Sequence, residues 1–111
     1  MDIPKVQRWD FGKGLMTLDK IREMFTPASH FRVSSSEYPS GAEFSEASRE
    51  GACYVLQGKI TYRLEKFNFE IPLSTGEFAN LPSGSYWVTV GKHEAVSLVR
   101  VWELPAEFWP N

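Results

Sequence analysis

Two kinds of side chain are nearly missing from this chain. There is one cysteine, Cys53, and there are two histidines, His30 and His93. A single thiol excludes an internal disulfide framework and any zinc site built from cysteine pairs. Two imidazoles leave little material for a histidine-rich metal centre. Long apolar runs are also lacking: none approaches the ~20 residues that cross a bilayer as a helix. The opening MDIPKVQRWD has neither an apolar signal core nor a small-residue cleavage site. It therefore predicts a cytoplasmic protein with no membrane partner. Positive charge is not in excess. The 12 Lys and Arg residues are scattered and the net charge is −2, so no basic patch marks a nucleic-acid surface. There is no internal repeat, low-complexity tract or Gly/Ser linker, and 111 residues suit one domain with one core.

What the chain does hold is a folding composition, 42% hydrophobic and 23% charged, which excludes a disordered tail. TLDKIREMF, from Thr17 to Phe25, is the one good helix candidate. Thr17 can cap it, Asp19 suits the positive end of its dipole, and Pro27 ends it. Leu18, Ile21, Met24 and Phe25 share a face. Everything after residue 29 reads as short strands. ACYVLQG places Tyr54 and Leu56 on one face and Cys53 and Val55 on the other. KITYRLE alternates Ile60, Tyr62 and Leu64 with polar residues. FEIPLS follows, with Pro72 marking an edge or a bulge. SYWVTV and AVSLVRVWEL close the run, with GKHE between them read as a hairpin tip. Turn signals every eight to twelve residues predict an antiparallel sandwich or barrel. The C-terminal PAEFWPN carries Phe108 and Trp109, which are expected to pack on the barrel wall or on a partner subunit.

Two stretches together resemble the cupin superfamily, whose members are small jelly-roll β-barrels. In YPSGAEFSEASREGACYVLQGKITY, the residues Pro39, Gly41, Tyr54, Val55, Leu56 and Gly58 match the family frame. In GEFANLPSGSYW, Gly76, Pro82 and Gly84 match the second family motif in type and spacing. The resemblance spans about residues 36–104. It implies an all-β, cupin-type jelly-roll barrel (a double-stranded β-helix) with a short N-terminal helix. The single domain, 1–111, then divides into an N-terminal strand and helix extension at 1–28, a barrel at 29–104 and a tail at 105–111. A homodimer is also implied, with Tyr54, Leu56, Phe108 and Trp109 as contact surfaces.

The departures from the family bear on function. Its last metal-ligand position falls on Trp87. Its His-x-His stretch falls within FSEASR, which has no histidine, and its glutamate falls on Gly51, one residue from Glu50. The interval from Gly41 to Gly58 is two or three residues short. The expectation is a barrel with no metal and no cofactor. If strand parity follows the family, Trp87 points inward, Thr89 shares its face, and Cys53 and Val55 face the same space. Two readings of Trp87 stand: core filler, or one wall of a pocket for a flat or apolar ligand. Tyr62 and His30 complete the set of pocket candidates. Glu43, Glu46 and Glu50, with Arg49, read as a solvated charged loop, the alternative being an oxygen-rich metal site or paired carboxylates. Cys53 reads as a small buried hydrophobe rather than a nucleophile. No catalytic residue is assigned. The function expected first is binding or sensing of a small molecule. A dimeric scaffold with a filled barrel comes second, and a small enzyme of isomerase, lyase or dioxygenase type third.

Overall fold

The helix forms where its spacing predicts it. In a computed structural model describing residues 3–110, α1 spans Leu18–Met24. The Thr17 hydroxyl accepts the Lys20 N–H at 3.1 Å, and Asp19 lies in the first turn. Capping of this kind contributes about 1 kcal/mol. One residue anchors the helix: Ile21 is wholly buried against the barrel wall.

Nine strands make up the rest of the framework among the described residues. They are β1 (Gln7–Arg8), β2 (Phe31–Tyr38), β3 (Glu43–Ser48), β4 (Gly51–Gln57) and β5 (Lys59–Leu64), then β6 (Phe69–Ser74), β7 (Glu77–Leu81), β8 (Gly84–Val90) and β9 (Val96–Glu103). One sheet has the order β1-β7-β4-β9-β2 and the other β3-β8-β5-β6. Every pairing is antiparallel. From β2 onward the chain passes repeatedly from one sheet to the other, and only β5 and β6 are consecutive neighbours. That alternation is the jelly-roll topology. It also corrects one turn assignment. GKHE is not a hairpin tip, because β8 and β9 lie in different sheets; it is a corner between them. Pro72 lies on β6, the outermost strand of its sheet, where a missing N–H is tolerated.

The core has two compartments. Between the sheets lie Cys53, Val55, Ile60, Leu73, Val88 and Leu98, among others. Outside the five-stranded sheet a second cluster joins Ile21 to Ala52, Tyr54, Val99 and Val101. Both faces of β4 are thus buried, one inside the barrel and one beneath the N-terminal segment. Tyr54 is 3% exposed, stacked on Phe78 at 4.9 Å and edge-on to Phe25 and Trp9. Tyr54 is therefore covered by its own chain and is not the open contact surface that the dimer expectation assigned to it. The tail divides in the same way. Trp109 stacks on His30 at 4.1 Å and donates its indole N–H to the Leu104 carbonyl at 2.8 Å, whereas Phe108 is 66% exposed.

Candidate functional site at the mouth of the barrel

The inward face of β9 carries Val96, Leu98 and then Arg100. An arginine in that series is the feature that breaks the apolar lining. In the register of the five-stranded sheet, Arg100 lies between Ser34 of β2 and Cys53 of β4. Facing it from the opposite sheet are Tyr62 of β5 and Glu46 and Ser48 of β3. Arg100, Ser34, Tyr62, Glu46 and Ser48, with Ser36, Tyr38, Arg49 and Trp102, line a cavity of about 280 Å³. Larger hollows lie on the outer surface. One of about 740 Å³ runs beside Phe25, Asn80 and Trp109, and one of about 500 Å³ beside Trp9, Lys20 and Met24. Neither contains a buried charge, so the chemistry points to the smaller interior cavity.

Arg100 is 7% exposed, and burying a cation demands compensation. Its Nε donates to the Ala52 carbonyl at 3.3 Å. Its Nη2 donates to Ser48 Oγ at 2.8 Å and to the Arg49 carbonyl at 3.4 Å. The guanidinium carbon lies 5.8 Å from the centre of the Tyr62 ring, a cation–π distance. The remaining nitrogen, Nη1, has no hydrogen-bond partner among the described residues. It lies 4.0 Å from Glu46 Oε1, an ion pair too long for a hydrogen bond. The other Glu46 oxygen, Oε2, is buried with no partner. A buried orphan acceptor is rare enough to demand an explanation.

Cys53 Sγ lies 3.9 Å from the Tyr62 hydroxyl, with both residues buried. Burial pushes the Cys53 thiol up to about 11, and Arg100 opposes this only in part. The Tyr62 phenol is raised as well, chiefly by burial. Both groups are therefore neutral at physiological pH and serve neither as nucleophile nor as base: Tyr62 is part of the cavity wall and Cys53 packs in the core behind it.

Several expectations need correction against this geometry. Trp87 and Thr89 do not point into the barrel. The buried residues of β8 are Tyr86, Val88 and Val90, so Trp87 and Thr89 lie on the outer face, opposite Arg63 and Thr61 of β5. The physical reason is alternation: Tyr-Val-Val makes a better core face than Ser-Trp-Thr, and a shift of one residue exchanges the faces. Cys53, Val55 and Tyr62 do face inward; Val55 packs deeper, within the apolar core. His30 ends a 3-10 turn outside the barrel, against Trp109, and contributes nothing to the cavity. The stretch from Glu43 to Glu50 is a solvated loop only at Arg49 and Glu50; Glu43–Ser48 are a strand. That strand, β3, turns Phe44, Glu46 and Ser48 inward and leaves Glu43 exposed. His30, Cys53, Glu43 and Glu46 therefore do not converge as an enzymatic set. Arg100 was missed, although the sequence holds a signal for it. In VSLVRVWE it shares parity with Val96, Leu98 and Trp102.

Cupin barrels commonly hold a transition metal, so the residues present must be tested for fit. Among the described residues no three His, Cys, Asp or Glu side chains come together. In this cavity a fixed guanidinium stands beside the one carboxylate, where it would repel a second cation. The donor set does not fit a metal ion.

No family profile matches the chain, and no curated protein matches it. Solved structures do. The EutQ protein of Clostridium difficile is 19% identical, with 95% of this chain and 66% of that one covered and a TM-score of 0.55. A cupin superfamily protein of Desulfitobacterium hafniense DCB-2 is 10% identical, with 94% and 80% covered and a TM-score of 0.55. A chain from the crystal structures of the DMSP lyases RdDddP and RnDddQII is 16% identical, with 67% and 38% covered and a TM-score of 0.55. This chain thus spans 38% of the length of that lyase chain and 66% of the EutQ protein. At such identities it is the fold that is shared. With its two antiparallel sheets and jelly-roll order, this chain has the cupin-type fold of these structures.

Proposed function

We propose that this chain is a metal-free cupin-like module that binds a small molecule at the mouth of its barrel, with Arg100 as the anchor. One observation carries the reading: a nearly buried arginine has one nitrogen without a hydrogen bond, 4.0 Å from Glu46, at a cavity of about 280 Å³. The size matches the lower end of small-ligand sites. The lining supports it too, with the rings of Tyr38, Tyr62 and Trp102 beside polar groups that converge from both sheets. Tyr62 walls the site without reacting, and Cys53 lies buried behind it. The binding is of recognition type, and no covalent step is assigned to these residues.

A second reading has its own support. The remainder of the barrel is filled by Ile60, Leu64, Ile71, Leu73 and Leu81, all essentially buried. A structural module with a solid interior would look like this over most of its length.

The two readings separate in one experiment. Backbone amide NMR is recorded on the full chain while small acids, amino acids, sugars and nucleosides are added at millimolar concentration. Saturable shifts centred on Ser34, Ser36, Ser48 and Trp102, lost in Arg100→Met, are expected. If no compound moves those resonances, the binding reading fails and the scaffold reading takes its place.

A further inference from the structure

The two unsatisfied groups in the cavity have opposite chemistry. Arg100 Nη1 can donate, and it carries positive charge. Glu46 Oε2 can only accept when ionised, and it carries negative charge. They belong to one ion pair that does not close: 4.0 Å separates Nη1 from Oε1, and Oε2 is buried with no partner at all. A pair held apart in this way leaves both members under-compensated. A ligand carrying only a carboxylate would satisfy Arg100 but would bring a second anion beside Glu46. One carrying only an amine would satisfy Glu46 but would crowd a cation against the guanidinium. A molecule with both groups completes both.

Resting on the binding reading above, we infer that the ligand is a small zwitterion, an amino acid or a close relative, its carboxylate on Arg100 Nη1 and its ammonium on the Glu46 carboxylate. Charge balance supports this. The inward-turned charges of the cavity are one cation, Arg100, and one anion, Glu46, while Arg49 lines it from the exposed rim; a ligand of zero net charge leaves the inward pair balanced. Size supports it as well, because about 280 Å³ admits a small amino acid and excludes a nucleotide. Further recognition is available from Ser34, Ser36 and Tyr38 on the β2 wall, which supply hydroxyls for a polar side chain. Trp102 offers the apolar face at the rim.

The test compares matched pairs on the full chain, by the same amide shifts: glycine against acetate, β-alanine against propionate, and glycine against methylamine. The zwitterions are expected to bind at least about tenfold tighter than their singly charged partners, since each charge-assisted hydrogen bond contributes a factor of that order. Glu46→Gln keeps the shape and the acceptor but removes the charge. It should bring each zwitterion and its matching carboxylate to within about twofold, while carboxylate binding holds or improves. Arg100→Lys, which preserves charge without the fork, should weaken both carboxylates and zwitterions. Equal binding of acetate and glycine, unchanged by Glu46→Gln, would overturn the inference and leave the binding site itself standing. No shift from any of these probes also overturns it. If sugars and nucleosides are then silent as well, the binding reading falls with it.

Discussion

At the scale of single residues, Arg100 is where fold and function pull in opposite directions. A hydrophobic residue at its place in β9 would continue the lining of Val96 and Leu98 without any desolvation cost. Replacing a buried ion pair by well-packed apolar groups is often neutral or stabilising. The double change Arg100→Met, Glu46→Leu is therefore expected to raise stability by about 1–2 kcal/mol in urea unfolding while abolishing the ligand-induced shifts. A loss of stability would mean that the pair holds the sheets together. Cys53 gives a second prediction. Its folded pKa, about 11, lies above the unfolded value of 9.0, so its contribution is fully present below about pH 9 and is lost as pH rises through 11. Unfolding free energy should fall across that window, and Cys53→Ala should flatten part of the fall. Iodoacetamide at pH 8 should label Cys53 only in the unfolded chain. Part of the surroundings was legible in the sequence: alternation set Cys53 and Val55 on one face of β4, family parity turned that face inward, and Tyr62 stood among the pocket candidates. It misplaced Trp87 because counting from the family's Pro-x-Gly turn outweighed the local pattern. Tyr86, Val88 and Val90 were the face to follow.

Whole elements show the same contrast between turns and interiors. Gly58 sits at φ +94° between β4 and β5, and a side chain there would meet the Ala95 carbonyl at 2.6 Å. That requirement is local, which is why the Tyr-Val-Leu-x-Gly frame could be found by eye. Gly51 is different: its backbone is ordinary, but a Cβ would come within 2.2 Å of the Val101 carbonyl on the neighbouring strand. Gly51→Ala should cost more than about 2 kcal/mol, because β4 must shift against β9; thermal unfolding measures it. The family glutamate position fell here by count, and no side chain can enter without moving the sheet. On α1, Ile21→Ala should cost about 2–5 kcal/mol, since the residue is fully buried and pins the helix over Val99 and Val101. Strand partners were less legible than strand positions. GKHE separates two strands that never pair, and nothing local distinguishes a corner between sheets from a hairpin tip.

For the molecule as a whole, the alternation of strands between two sheets brings β3 and β9 face to face across the barrel mouth. Glu46 and Arg100 stand far apart in sequence, so no short motif links them, and only the completed topology makes them neighbours. The N-terminal segment works at this scale too: Trp9, α1 and Phe25 roof the outer side of the five-stranded sheet, which leaves the interior cavity to the opposite face. The rim of the other sheet ends on β6, where Pro72 is paired with Thr61. Proline inside a sheet is confined to edge strands with its nitrogen toward solvent, so on β6 the missing donor belongs to the open border. A foreign strand approaching that border finds a gap in its ladder halfway along, so the molecule resists zippering into fibrils from this side.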